Sequence, residues 1–560
     1  MAMSTGTTRT TTTKFGWVAP GILPPATLAH PCASCARDSG TAAYPDLRSL
    51  EQAWRACRRR KRATVRACLY EQRLLDHLVE TREALQDRSW QPGPPVVFTV
   101  QQPKAREVYA AQFEDRVVHH WLVPQLDAVI DPDFIHDATS NRVGRGTHFA
   151  VDRLQHFMRQ LGGKGYYLQL DIANFFNSIH QPTLLELLSR KLQKAVKRRG
   201  MPLEQARLCY QVASRIVRQP CAEQAIRLTS AQPLHNRVPA HKRLENAPAE
   251  TGLPIGNLTS QFMYRMYGMS RAHGCAGATF ANLYLNELDQ FVKHTLKCRH
   301  YVRYVDDFVL LHPEREKLVH WQAQIAAFLR HHLRLEFKSP QRIQRLSDGV
   351  DFLGYIVRPD YRLVRRRVVG NLHQRLQGHA KAICRPSAGG TLVDLQPRTR
   401  DALRATLASY QGHFLHANSY RLRERVLKRH AWLEQLFFLQ DTATGPQPCW
   451  EAPDAHSLRA QWRWFFRQWP DFLLLMQCGR QLLLSEPVPG ASQYRGAACI
   501  PAWSVPIGAL GAVRRHLQRQ HRAYLYVSEQ GYHKGGLKRR LARLYWMPRT
   551  PSIHQHSESE

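Results

Sequence analysis

Two adjacent acids, Asp306 and Asp307, stand between apolar runs: Tyr301-Val302-Arg303-Tyr304-Val305 precedes them and Phe308-Val309-Leu310-Leu311 follows. Runs rich in β-branched and aromatic residues around a short polar break predict a β-hairpin with the two carboxylates at its tip. Folding alone does not reward such a pair. A charge pair withdrawn from water needs a cation, and two hard divalent ions about 3.5–4 Å apart can clamp the attacking and leaving oxygens of a phosphoryl transfer. Taken alone an Asp-Asp pair is more often a solvated turn, so the reading depends on what else the chain brings.

Lys and Arg number 79 against 44 Asp and Glu, a net charge of +35. That excess points to an extended polyanion as partner, because neutralising phosphates releases counterions. A membrane surface is the competing partner, but no run of about 18 or more apolar residues appears. Met1 to Lys14 is Thr-rich and lacks the apolar core of a signal peptide, so a cytoplasmic protein without membrane association is expected. With 560 residues, 43% of them hydrophobic, the chain has material for three or more packed units. The twelve cysteines follow no framework spacing. Cys32 and Cys35 behind His30 form half a zinc pattern without a second half.

Residues 1–44 are polar and Thr-rich, and a disordered tail is expected there. Helical spacing follows from Leu47 to Leu85, broken by Arg58-Arg59-Arg60-Lys61-Arg62, either a solvated helix face or a phosphate clamp. Next come a strand-like Val96 to Val100, Lys104 and Arg106, and a basic glycine-interrupted loop from Asn141 to His148. Tyr166 to Ile172 alternates, which puts Tyr167, Gln169 and Asp171 on one strand face. Asp171 is then either an N-cap for the following Asn174-Phe175-Phe176 or the third carboxylate of a metal set. The stretch from Lys191 to Pro248 reads as a long polar excursion at the periphery. Phe280, Leu283, Tyr284, Leu288 and Phe291 mark an amphipathic helix, and Gly349 to Val357 a strand pair. Residues 371–440 are predicted helical, with aromatic and basic residues interleaved to suit either a duplex-following arm or bundle packing. After a Pro/Gly-containing break at 441–458, residues 459–549 predict a small α/β module, and 550–560 a tail.

Asp171 after a strand, the Tyr304-Val305-Asp306-Asp307 hairpin and the Phe352-Leu353-Gly354-Tyr355 strand, in that order, make residues 45–430 resemble reverse transcriptases. The resemblance implies an α+β right hand: N-terminal helices and fingers at 45–165, a palm at 166–358 and a helical thumb at 359–440. It implies an RNA-directed DNA polymerase using two Mg²⁺ ions, with Mn²⁺ able to substitute. Asp171, Ile172, Asp306 and Asp307 fall at the metal site. Lys104, Arg106, Phe176, Ile255, Gly256 and Gln261 fall at the nucleotide pocket. Arg142, Arg145 and the four residues Phe352 to Tyr355 fall where primer and template are held. Partners are then a template RNA, a DNA or RNA primer and dNTPs.

Where most of the family carries QGxxxSP, this chain has Ile255-Gly256-Asn257-Leu258-Thr259-Ser260-Gln261, the IGxxxSQ form that resembles diversity-generating retroelement enzymes. Those copy a template RNA with errors opposite adenine and work with an accessory barrel protein. An apolar Ile in place of Gln removes a hydrogen-bonding side chain beside the nucleotide. The chain departs from the family in an insertion, Phe262 to Thr279. Its last module resembles the N-terminal domain of the MutS mismatch-repair family through Phe472 to Arg480, but Gln481-Leu482-Leu483 stands where that family has its Phe-x-Glu reader. A duplex-binding platform built on Lys538, Arg539, Arg540 and Arg543 and a purely structural appendix are both open. A group II-like or phage-defence reverse transcriptase shares the active site, and a non-catalytic RNA-binding scaffold shares the charge. Residues 441–560 carry no cysteine-rich endonuclease pattern and no RNase H acid cluster, so strand removal is expected to need another protein.

Overall fold

Strict alternation decides the central sheet. In the computed structural model, which describes residues 45–59, 64–100, 105–227, 237–255, 279–338, 341–387, 389–433, 436–438, 447–452, 457–496, 500–533 and 536–548, Tyr166 to Asp171 is a strand sending its side chains to opposite cores. Leu168 and Leu170 enter one apolar cluster with Tyr301, Phe308 and Leu310. Tyr167 enters another with Val302, Val309 and Leu311. Both faces of the sheet are therefore covered by packed elements. The tail 1–44 with Cys32 and Cys35, and Lys104, Gly256, Gln261 and residues 262–278, lie outside the described residues.

The N-terminal helix Leu47–Arg58 starts where Asp46 accepts the Ser49 N–H at 2.9 Å, an N-cap. Leu50, Trp54 and Cys57, spaced for one helical face, enter the core with the helix Phe113–Ile130. Arg58 does not serve a phosphate clamp. It pairs with Glu71 at 2.7 Å and covers the Trp54 ring at 4.5 Å. Between these helices β1 (Val96–Val100) pairs antiparallel with β2 (Arg106–Ala110).

The central sheet takes β3 (Tyr166–Asp171). The small strand β4 (Ile226–Arg227) returns instead to lie parallel to β1. β5 (Tyr301–Tyr304), β6 (Asp307–His312) and β7 (Ile343–Arg345) complete the order β5-β6-β3-β7. The excursion expected to be peripheral from Lys191 sends Leu192, Cys209, Val212 and Ile216 into the core. Helices Gln181–Arg199 and Leu203–Arg218 bury Leu184, Leu188, Leu192, Cys209, Val212 and Ile216 in the same cluster as β3. The helix Thr279–Gln290 is buried nearly all round rather than amphipathic, and it carries Asn282, Asn286 and Asp289 inward with the apolar residues.

β8 (Val350–Phe352) and β9 (Tyr355–Val357) form a hairpin extended by β10 (Arg362–Val364). Beyond it, strands from before and after residues 441–458 share one sheet. β11 (Cys384–Ser387) and β12 (Gly390–Asp394), inside the stretch predicted helical, join a sheet with β15 (Leu473–Cys478), β16 (Gln481–Leu484), β17 (Ser492–Gln493), β18 (Trp503–Pro506), β19 (Tyr524–Tyr532) and β20 (Lys538–Pro548). Its order is β11-β12-β20-β19-β15-β16-β18-β17, while β13 (Phe437–Phe438) and β14 (Gln447–Pro448) pair separately. One cluster holds Leu372, Leu376 and Leu403 from helices before residue 440 together with Leu474, Met476, Leu525 and Leu541 from after it. Residues 359–440 and 459–549 are thus one body, because β12 needs β20 for its ladder: Gly390 faces Pro548 and Asp394 faces Leu544. Among the described residues no helix is long and apolar enough to cross a membrane.

Candidate active site

The two acids lie on the predicted hairpin. Tyr304 faces Asp307 across it, leaving Val305-Asp306 as a two-residue turn. Val305 has φ +58°, a left-handed conformation that a β-branched residue adopts only under constraint. The constraint is visible. Fully buried Arg303 donates from Nη1 to the Val305 carbonyl at 2.9 Å and is paired through Nη2 with equally buried Asp289 at 2.6 Å. Tyr301 Oη donates to the same Asp289 at 2.7 Å.

Antiparallel register brings in the third acid: Asp171 is directly opposite Asp307 on β6. The N-cap alternative for Asp171 falls away, since Asn174, at φ +45°, precedes the helix Phe175–Ser178. Asp171 instead accepts from Lys338 Nζ at 3.1 Å. Asp307 accepts from Gln169 Nε2 at 3.0 Å, from the residue two before Asp171 on the same face. Asp171, Asp306 and Asp307 line one cavity of about 520 Å³ with Ile172, Arg106, Phe176 and Ile255. Ile172 continues β3 into a bridge with Phe337. Phe176 is nearly buried, its ring centroid 5.3 Å from that of Phe175. Ile255 is fixed by its carbonyl, which accepts the Tyr109 N–H at 2.7 Å.

Electrostatics match this crowding. Burial, and then the charge of Asp171, push the Asp306 carboxyl up to about 6 against the pull of Arg106 and Lys338. Burial pushes Asp307 up to about 7; the Gln169 hydrogen bond opposes this and the charges of Asp306 and Asp171 reinforce it. Arg106 and Lys338 supply part of the counter-charge, Lys338 through its ion pair with Asp171, but burial still holds the Asp306 and Asp307 carboxyls up. Among the described residues no three His, Cys, Asp or Glu side chains are grouped closely enough to ligate one ion. Carboxylate oxygens are the donors that hard divalent cations take, with substrate phosphates and water able to complete such a shell.

Other expected site residues lie elsewhere. Arg142 is folded into its own loop, pairing with Asp131 at 2.6 Å and donating to the Ile135 and Ala138 carbonyls at 2.7 and 3.1 Å. A guanidinium so occupied is not offered to a template. Arg145 bonds to the His136 carbonyl and lies 5.5 Å over the Phe149 ring. Of the four β8–β9 residues, Phe352 and Tyr355 are fully buried, Tyr355 stacking on His413 at 4.1 Å. Only the turn pair Leu353 and Gly354, at φ +51° and +95°, stands at the hairpin tip. The four β20 cations are spent internally: Lys538 and Arg540 on Glu529 at 2.8 and 2.7 Å, Arg539 on Glu451, and Arg543 on Asp394 at 2.7 Å. Sequence reasoning missed Gln169, Lys338 and Lys242, which also line the cavity. The strand period that placed Asp171 could have found Gln169; the two lysines carry no local signal.

Residues 101–357 match the family model described as reverse transcriptase (RNA-dependent DNA polymerase). No curated protein matches the chain. Similar solved structures include telomerase from Candida albicans in complex with a TWJ fragment of telomeric RNA, at 10% identity and a TM-score of 0.32, covering 63% of this chain and 61% of that one. Apo telomerase from Candida tropicalis, truncated from its C-terminal domain, is similar at 9% identity and a TM-score of 0.32, covering 48% of this chain and 55% of that one. The chain thus spans less than two thirds of both, and the family similarity rests on residues 101–357. Residues 101–357 are thus similar to the reverse transcriptase family, whose members are RNA-directed DNA polymerases of the nucleotidyltransferase class.

Proposed function

We propose that the whole chain makes cDNA from an RNA template, as an error-prone polymerase of the diversity-generating retroelement type with fingers, palm and thumb. The observation that carries the polymerase reading is the Asp171–Asp307 register beside the Val305-Asp306 turn, which gathers the acids in one cavity with Arg106 and Phe176. Two Mg²⁺ ions, or Mn²⁺ in their place, would be held by Asp171 and Asp306 and when bound would supply charge to the attacking and leaving oxygens. Arg106 faces both acids and would hold the triphosphate. Phe176 supports the reading of a wall against a ribose 2′-hydroxyl, because its ring is packed in place by Phe175. Gln169 holds Asp307 aside as a supporting acid, which leaves Asp306 at the tip for the reaction.

Ile255 on the cavity wall supports the error-prone part of the reading: an apolar side chain beside the nucleotide makes no hydrogen bond to reward the right base. A template RNA, a primer and an accessory retroelement protein are the proposed partners. The MutS-like resemblance of the last module is supported by its α/β arrangement alone, and the β20 cations each have a carboxylate partner. Primer extension on an RNA template tests the proposal. Wild type is expected to extend with Mg²⁺ or Mn²⁺ and to misincorporate opposite template adenine, while Asp306→Ala falls to background. An inactive wild type that still binds RNA would turn the reading to a scaffold.

A further inference from the structure

The segment that returns from the excursion ends as a wall of the active-site cavity. The turn Ala240–Lys242 runs into the turn Leu244–Asn246, to which Asn246 Nδ2 links it by donating to the Ala240 carbonyl at 2.9 Å, and the second turn is tied down from two sides. From β2, buried Glu107 accepts the Leu244 N–H at 3.0 Å, one residue along from Arg106. From the Phe176 side, Asn177 Nδ2 donates to the Arg243 carbonyl at 3.4 Å, and the Leu253 N–H donates to the Phe176 carbonyl at 2.8 Å. Arg227 and Arg243 converge on Glu245 at 2.8 and 3.5 Å, which stiffens the turn pair further.

This anchoring places Lys242 in the wall shared by Arg106, Phe176 and the acids. Its side chain is exposed, and among the described residues no carboxylate pairs with it. Lys338 in the same wall behaves differently, since it is already engaged with Asp171 at 3.1 Å. A cation that stands in a carboxylate-lined cavity yet is drawn to none of them is available to an anion from outside. Lysine suits that task as a compact charge with three donors and a long reach.

We propose that Lys242 binds the non-transferred phosphates of the incoming nucleoside triphosphate in the cavity it lines with Arg106. The inference rests on the polymerase reading but is separable from it, because nucleotide affinity can be read without turnover. Full-length wild type, Lys242→Ala and Lys242→Arg would be compared for dNTP KM, kcat, primer–template affinity and direct dTTP binding with Mg²⁺. Lys242→Ala is expected to raise KM and the dTTP dissociation constant about tenfold, equal to about 1.4 kcal/mol. Its kcat and primer–template affinity should change little, and Lys242→Arg should restore most of the loss. Unchanged dTTP affinity in Lys242→Ala overturns the proposal, as does a loss confined to kcat or to primer–template binding. If wild type binds dTTP but extends no primer, the polymerase reading fails while the titration still decides the role of Lys242.

Discussion

Asp115 shows how one buried acid sets a stability profile. It lies at the start of the helix Phe113–Ile130 and accepts the Gly93 N–H at 3.0 Å; burial pushes its carboxyl up to about 7 from 3.8. Because the folded value is the higher one, the protonated form is what folding favours. Its contribution is complete below about pH 3.8 and is lost as pH rises through about 7, by up to ~4 kcal/mol. Asp115→Asn keeps an acceptor for Gly93 without a charge. Thermal denaturation should therefore find the variant no more stable than wild type near pH 4 and increasingly more stable toward pH 7. A gap that stays constant with pH would contradict the assignment. Arg303 and Asp289 make a complementary case: a fully buried pair adds little net stability but here holds the backbone of Val305 in a conformation it would otherwise leave.

The β8–β9 hairpin ties this part of the chain to the C-terminal body. Gly354 at φ +95° would bring an added Cβ to 3.1 Å from the His413 ring, and that ring stacks on Tyr355. Gly354→Ala combines left-handed strain with this crowding and is expected to destabilise by about 1–2 kcal/mol, measured by urea denaturation. The same hairpin marks the reach of sequence reasoning. Its alternation, Val350 and Phe352 then Tyr355 and Val357, already spelled buried positions, but the motif resemblance drew all four tip residues toward the primer. β3 and the acid hairpin were legible because period two and the turn act over a few residues. Lys242 was not, since its place depends on Glu107 and Asn177, far away in sequence. The excursion misled through its surface: Lys191, Lys194 and Arg199 all pair with Asp133, and their charge concealed buried Leu192 and the Cys209, Val212, Ile216 stripe of the next helix.

For the molecule as a whole, the consequential pairing is β12 with β20 across some 150 residues of chain. A protein ending at residue 440 would lose β15 through β20 and uncover Leu372, Leu376 and Leu403. Limited proteolysis of that fragment should cut readily within 366–429 while the central sheet stays protected. Equal protection in fragment and full chain would show that the helices stand alone. The scattered cysteines give no help here, for among the described residues all remain free thiols.

That pairing also orders events during synthesis. The central sheet has all its strands by Arg345, so it can close while the ribosome is still working. The helical body behind it has to wait for residue 548, where the last partner strand ends. Translation stopped between those points would release a chain with its acids assembled and its C-terminal half unformed, a state that chaperones and proteases would meet before any nucleic acid did.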